Sequence, residues 1–153
     1  MLTVATIAFL NMISYAEGTN NNYGVLFGFH TMRHPQSKWT EHPNIAIRHG
    51  KYISTAAGKY QFLYTTYAEM QKKCDIPDFK PASQDKACVC LLNTKGVRHT
   101  TPYKDLESFS IALSKIKFLW ASIPGAPYGQ PVHTEKALWA VYKTELKKGY
   151  NKL

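Results

Sequence analysis

The chain has 153 residues, the usual size of one domain, and it is long enough to bury a core without disulfide support. Its 19 Lys and Arg residues outnumber its 10 Asp and Glu residues, so the formal net charge is +9. A hydrophobic content of 44% excludes a disordered chain, and the charge indicates a polyanionic partner such as nucleic acid, anionic lipid or a bacterial envelope.

The N-terminal segment reads as a first helix. Apolar residues from Ile7 to Ala16 suit a mostly buried helix, and Gly18 follows, as glycine commonly follows a helix end. No Lys or Arg precedes the apolar stretch, and no small-residue cleavage site follows before Glu17, so a signal peptide is not indicated. No apolar run reaches transmembrane length. We therefore expect neither a signal peptide nor a membrane span.

The remainder divides into a turn-rich part and a helical part. Residues 19–53 are dense in Asn, Gly and Pro between short apolar pieces, which predicts a small β-lobe with long loops. Helical apolar spacing then returns in four stretches: Leu63 to Cys74, a helix capped by Ser83 that stops near Gly96, Phe109 to Trp120, and Thr134 to near Gly149. The pattern predicts one mainly helical α+β domain over residues 1–153.

The cysteines do not suggest a disulfide framework, because three is a small and odd number. They are Cys74, Cys88 and Cys90. We expect free thiols in a reducing compartment.

A zinc site is also not favoured. His30 and His34 are four residues apart, but Pro35 and the neighbouring turn residues argue against a helix there, and no Glu follows His30 as an HExxH motif requires. Cys88 and Cys90 form a C-x-C without a partner pair. The sequence predicts no metal and no cofactor.

Glu17 is the first candidate for chemistry. It is one of two acidic residues among the first 50, and it lies at the C-terminal end of an apolar helix. Apolar surroundings and the negative end of the helix dipole both favour the protonated acid. A carboxylic acid held protonated near neutral pH can donate a proton to a glycosidic oxygen. A solvated Glu at a helix end is the structural alternative.

Five stretches, in this order, support the chemical role. They are Tyr15–Thr19, Glu41–Pro43, Ser54–Gln61, Asp78–Asp85 and Trp120–Gln130. Together they closely resemble the phage lambda type of endolysin, a family of peptidoglycan lytic transglycosylases in the lysozyme superfamily. The resemblance covers about residues 7–142. It implies a lysozyme-like fold, in which a helical lobe and a small β-lobe flank a substrate cleft.

The resemblance also implies a reaction with Glu17 as the single catalytic acid. The β-1,4 bond from N-acetylmuramic acid to N-acetylglucosamine is cleaved without the addition of water, and a 1,6-anhydromuramic end is left. Glu17 would donate a proton to the leaving oxygen. Its conjugate base would then accept the proton of the sugar 6-hydroxyl, which attacks C1.

Glu41 is the nearby candidate for a second carboxylate, which a two-carboxylate glycosidase requires. The family more often has Asp at this position. The sequence leaves three roles open: an anchor of the β-lobe loop, a substrate contact at the cleft edge, and a catalytic group.

The resemblance places further substrate contacts on two motifs. In Gly58–Gln61, the amide of Gln61 suits sugar hydroxyls and N-acetyl groups because it both donates and accepts, and Tyr60 is a second contact or a core residue. In Tyr128–Gln130, Tyr128 is expected to bond Glu17, to stack on a sugar or simply to pack in its loop, and Gln130 joins the substrate contacts.

The C-terminal segment is basic and amphipathic, which can favour anionic membrane surfaces. This segment contains five lysines and two glutamates: Lys136, Lys143, Lys147, Lys148 and Lys152, and Glu135 and Glu145. A solvated last helix is the alternative. We expect peptidoglycan glycan strands as the partner, some envelope contact, no nucleic acid, a monomer, and no separate wall-binding domain.

Other functions remain open at this point. They are a hydrolytic muramidase that uses Glu17 with Glu41, a zinc amidase or peptidase, and a non-enzymatic basic envelope binder. Without an export signal, the chain is expected in the host cytoplasm until a holin releases it to the wall.

Overall fold

The computed structural model describes residues 1–153. Five α-helices and four short strands follow one another along the chain: α1 Val4–Ala16, β1 Val25–Leu26, β2 His30–Thr31, β3 Ile47–His49, β4 Tyr52–Ser54, α2 Tyr64–Cys74, α3 Pro81–Thr94, α4 Leu106–Ile116 and α5 Glu135–Tyr150. They form two compact units. We call Met1–Gly18 with Leu92–Leu153 the helical unit, and Thr19–Leu91 the mixed unit.

Helix ends in the helical unit are fixed by their capping residues. The hydroxyl of Thr3 accepts a hydrogen bond from the Thr6 N–H at the start of α1, and Asp105 and Thr134 cap α4 and α5 in the same way. Gly18, with φ 73°, follows the end of α1, as its sequence predicts.

Aromatic rings form much of the core of the helical unit, where α1 packs against α5. Phe9, Phe109 and Tyr142 are fully buried, and their ring centroids lie 5.2–6.2 Å apart. Contacts of this kind add about 0.5–1.5 kcal/mol per pair to the burial of the rings. This core fixes the α1 backbone that leads to Glu17.

The mixed unit contains two separate antiparallel hairpins. Strand β1 pairs with β2, with Leu26 opposite His30, and β3 pairs with β4, with Arg48 opposite Ile53. The strands lie within residues 19–53, where turn residues predicted a β-lobe, except that β4 ends one residue later at Ser54, and the unit itself continues to Leu91.

The prediction of free thiols is wrong for two of the three cysteines. Cys74, the last residue of α2, forms a disulfide with Cys90 in α3, whereas Cys88 is a buried free thiol. The fold brings the Cα atoms of Cys74 and Cys90 to 6.3 Å, within the range that a disulfide needs. The number of cysteines and their spacing along the chain do not reveal this distance.

The predicted α+β class, mainly helical with small sheets, is confirmed. Helix α3 begins at Pro81 and not at Ser83, because proline suits the first helical position and Ser83 instead donates to the Asp78 carboxylate at 2.5 Å. None of the five helices combines the length and the apolar character needed to cross a bilayer. The extent of the domain, with no separate wall-binding domain, stays a prediction.

Candidate active site

Glu17 is positioned by the end of α1. Its backbone N–H donates to the Ile13 carbonyl at 2.9 Å, so Glu17 completes the last helical turn. The next residue, Gly18, turns the chain away in a left-handed conformation that a side chain would disfavour. A regular helix with a buried face therefore fixes the Cα position of Glu17.

The Glu17 carboxyl is partly buried and has one defined side-chain partner. The Ser122 hydroxyl donates to its Oε1 at 2.8 Å. Burial raises the pKa of Glu17 to about 7, and the Ser122 hydrogen bond offsets part of the increase because it favours the carboxylate. Both protonation states of Glu17, the neutral acid and the carboxylate, are therefore populated near neutral pH.

Ser122 is held in place from both sides. Trp120 and Ile123 are buried, and the Ser122 carbonyl accepts a hydrogen bond from the His133 N–H at 3.1 Å. The His133 ring bonds in turn to the last turn of α1, since its Nε2 donates to the Ala16 carbonyl at 3.2 Å. This loop thus fastens the Ser122 hydroxyl beside the carboxyl that it contacts.

Gln61 and Tyr60 lie in the mixed unit. The Gln61 amide donates from Nε2 to the carbonyls of Val25 and Gly58, at 3.1 and 2.9 Å, and its backbone has φ 50°. Tyr60 is fully buried, and its hydroxyl donates to Asp85 at 2.6 Å. The structure therefore places Tyr60 in the core, which is the alternative that the sequence left open.

Gln84 holds the turn that carries Tyr60 and Gln61 through hydrogen bonds. Its buried amide accepts from the Lys59 N–H at 2.9 Å and donates to the Tyr23 and Phe79 carbonyls, at 3.1 and 2.9 Å. A Cβ at Gly58, which has φ 82°, would lie 2.2 Å from the Gln84 side-chain oxygen. Glycine is required at this position for both its backbone conformation and its lack of a side chain.

Glu41 is exposed in an irregular loop, and the residue after it holds that loop. The buried His42 ring donates from Nε2 to the Phe62 carbonyl at 2.7 Å and accepts the Asn44 N–H at Nδ1. Burial lowers the pKa of His42 from its usual value of 6.5, which favours this neutral form. His42 therefore anchors this loop, and the role of Glu41 stays a prediction.

Tyr128 and Gln130 lie in the loop between α4 and α5. The Tyr128 hydroxyl donates to the Phe118 carbonyl at 2.5 Å, whereas the Glu17 carboxyl receives its hydrogen bond from Ser122. Tyr128 is 48% exposed, and Gln130 is partly buried. Their contact with substrate stays a prediction.

Comparison with known proteins gives a consistent result. The model of the Endolysin family matches residues 7–148. The chain belongs to this family. The endolysin of Escherichia phage P2 is 32% identical over 151 residues, covering 90% of both chains, and that of Escherichia phage lambda is 31% identical over 145 residues, covering 89% of this chain and 87% of the relative.

Solved structures confirm the lysozyme-like fold of this endolysin. Bacteriophage lambda lysozyme complexed with a chitohexasaccharide matches with a TM-score of 0.82 and 28% identity, covering 95% of this chain and 96% of that one. A second structure of lysozyme from bacteriophage lambda matches with a TM-score of 0.76 over the same shares of both chains. The chain is therefore an endolysin of the lambda lysozyme type.

Sequence reasoning missed the residues that position others in this endolysin. The sequence pattern assigns no role to four of them, although they lie in or near the matching stretches: Ser122, His133, Gln84 and His42. The positions of these residues follow no helical or strand periodicity. Their hydrogen bonds, to backbone groups or to one carboxyl, depend on the folded geometry. The occurrence of Ser122 inside the stretch from Trp120 to Gln130 was the available signal.

Proposed function

We propose that this endolysin cleaves the β-1,4 bond between N-acetylmuramic acid and N-acetylglucosamine in peptidoglycan without adding water. Glu17 is the single general acid/base of the proposed reaction. The observation that carries the proposal is the Glu17 carboxyl itself, partly buried at a helix end, with its pKa raised to about 7. General acid–base catalysis is most effective when the catalytic pKa lies near the working pH.

The two proton transfers can use the same carboxyl. Protonated Glu17 donates to the glycosidic oxygen as the C1–O bond breaks, which leaves the carboxylate. The carboxylate accepts the proton of the muramic acid 6-hydroxyl while the oxygen of that hydroxyl bonds to C1, closing the 1,6-anhydro ring. Glu17 ends protonated, so no second carboxylate and no water are consumed.

Ser122 is a positioning residue in this proposal. Its hydroxyl holds Oε1 and donates more strongly to the carboxylate than to the acid. The hydrogen bond therefore stabilises Glu17 after it has lost its proton, and it keeps the carboxyl in one orientation between the two transfers.

The hydrolytic alternative depends on Glu41. A muramidase of that kind needs a second carboxylate held at a set separation from the first. Glu41 is exposed in a loop without regular structure, and no hydrogen bond or ion pair orients its carboxylate. These observations favour the mechanism with one carboxylate.

The proposed partner is the glycan strand of peptidoglycan. The lambda lysozyme structure with a bound chitohexasaccharide supports a glycan ligand. Helix α5 presents lysines at its C-terminal turn, where their charge suits the helix dipole and favours contact with an anionic envelope. Action as a monomer, after holin-mediated release from the host cytoplasm, completes the proposal.

Replacing Glu17 with Gln tests the acid directly. The amide keeps the size of the side chain but cannot transfer the proton, so lysis of purified walls, followed as loss of turbidity, should fall by about 10²–10⁴-fold. Glu69→Gln is the matched control, since Glu69 is an exposed acid on α2, and it should lyse at the unmodified rate. A folded Glu17→Gln protein that lysed walls as fast as this control would refute the proposal.

Two further arms separate the alternatives. Glu41→Gln should leave measurable lysis if Glu17 acts alone, whereas a hydrolase that depends on Glu41 would lose it. A strong metal chelator should leave the rate unchanged, and loss of activity on chelation would indicate a zinc amidase or peptidase.

A further inference from the structure

The mixed unit contains a cavity that the proposed cleavage chemistry does not use. It has a volume of about 420 Å³, within the roughly 300–1,000 Å³ range of small-ligand pockets. Strand β2 and the residues after it form one wall, and residues 43–47 form another. None of its lining residues is Glu17, Gln61, Tyr128 or Gln130.

The chemistry of the cavity is apolar inside and basic around it. Leu26, Met32 and Ile47 are among its apolar lining residues, and each is buried or partly buried. Ile45 also lines it and is 49% exposed. Methyl and methylene groups of a ligand would gain by covering this surface.

Charged and titratable side chains lie on the same walls. Arg33, His30 and His34 are exposed lining residues, and no acidic residue lines the cavity. Arg33 forms no ion pair with a carboxylate of the chain. Because a guanidinium offers paired N–H donors, it is suited to bind a carboxylate in a bidentate manner.

The stretch of sequence that contains the lining residues is also basic. From residue 19 to residue 62 there are five Lys and Arg residues and one acid, Glu41, a net charge of +4 from five minus one. A neutral sugar would leave the guanidinium without a charged partner, and a bare phosphate would leave the apolar walls uncovered. The combination fits a carboxylate attached to short aliphatic groups.

We propose that this cavity binds the peptide stem of peptidoglycan, and the proposal rests on the proposed function. The stem carries free carboxylates next to alanyl methyl groups, which is the chemistry that the walls and Arg33 require. Arg33 binds a stem carboxylate, and the aliphatic walls cover the adjacent methyl groups. The endolysin then recognises peptide-bearing glycan more tightly than bare glycan, through residues that take no part in bond cleavage.

The kinetic test compares two substrates that differ only in the stem. One is soluble peptide-bearing glycan strands, and the other is the same strands after an amidase has removed the peptides. Arg33→Gln should raise KM for peptide-bearing strands by about tenfold, while kcat and the KM for stripped strands stay unchanged. Lys51→Gln, an exposed basic residue of the same unit that does not line the cavity, is the matched control and should leave both KM values unchanged.

A binding experiment makes the result independent of catalysis. Glu17→Gln protein is titrated with free stem tetrapeptide, and isoleucine methyl resonances are followed by NMR. The resonances of Ile45 and Ile47 should shift with the peptide and not with a chitooligosaccharide, and an added Ile45→Glu substitution should weaken peptide binding.

The outcomes are distinct. Equal KM values of Arg33→Gln and the unmodified protein on peptide-bearing strands, or no methyl shift with the tetrapeptide, would overturn the proposal. Arg33-dependent binding of phosphatidylglycerol vesicles without peptide binding would also overturn it, in favour of a lipid. If neither glycan is cleaved by the unmodified protein, the proposed function fails, and the titration still decides whether the cavity binds the stem.

Discussion

The helical unit and the mixed unit hold functional side chains by different means. In the helical unit, rings of Phe9, Phe109 and Tyr142 pack between helices, and Glu17 extends from the end of the helix that they fix. In the mixed unit, buried polar side chains bond directly to backbone groups, as Gln84 and His42 do. Regular helices satisfy their own backbone, whereas irregular segments need side chains to do so.

This difference suits the two proposed tasks. A general acid needs a reproducible position, because a small displacement of the carboxyl has a large effect on proton transfer. A helix end with a packed core behind it provides that position. Recognition of a peptide stem needs a cavity with varied walls, which hairpins and loops can form.

The largest expected effect is on the aromatic core of the helical unit. Phe9→Ala should lower the free energy of unfolding by about 3–5 kcal/mol, because it removes a fully buried ring and leaves a cavity. Phe118→Ala is the matched control, since Phe118 is 61% exposed, and it should change stability by less than about 0.5 kcal/mol. Urea denaturation measures both, and equal midpoints would show that Phe9 packing does not stabilise the fold.

The disulfide of the mixed unit is the next largest contribution. It links residues 16 apart, and constraint of an unfolded loop of this length stabilises the folded state by about 3 kcal/mol. Cys74→Ala should lower the thermal midpoint accordingly. A reductant should destabilise the unmodified protein and have no effect on the variant, and an unmodified midpoint indifferent to reductant would contradict the bond.

Replacing Glu17 with Gln is expected to have a smaller effect on the free energy of unfolding, and to raise it instead of lowering it. Burial raises its pKa from 4.5 in the unfolded chain to about 7, so the folded state holds a proton that the unfolded state releases between these pH values. Stability contributed by the protonated acid is therefore present below pH 4.5 and is lost as pH rises through about 7. Glu17→Gln should be more stable than the unmodified protein by about 1–3 kcal/mol at pH 8.

The pH dependence provides the control for that prediction. Denaturation at pH 4 should show little difference between Glu17→Gln and the unmodified protein, because Glu17 is then mostly protonated in both states. A stability difference of the same size at pH 4 and pH 8 would show that burial does not perturb this carboxyl.

The sequence predicted most of the helical architecture and the position of Glu17. Apolar spacing of 3.6 residues is a property of each helix by itself, and Gly18 marks the end of α1 independently of the rest of the fold. The Cys74–Cys90 bond, the hydrogen bond from Ser122 to Glu17 and the burial of Tyr60 depend on residues far apart in the chain. No local sequence pattern reveals those distances. From the sequence alone, Tyr60 is therefore equally compatible with a substrate contact and with a core residue.

The net charge of +9 by itself does not identify a partner. Part of it lies at Arg33, which lines the cavity of the mixed unit, and part at the lysines in the last turn of α5. Peptide-stem carboxylates and an anionic envelope are therefore separate proposed targets of the excess charge, and each is open to its own test.

Mass spectrometry of the muropeptides released from purified cell wall tests the central claim most directly. If Glu17 acts alone as acid and base, the released muramic ends are 1,6-anhydro rings, one water lighter than reducing ends, and digestion in ¹⁸O-water introduces no label into them. Glu17→Gln should release neither product. Reducing ends carrying ¹⁸O would contradict the account and establish a hydrolase.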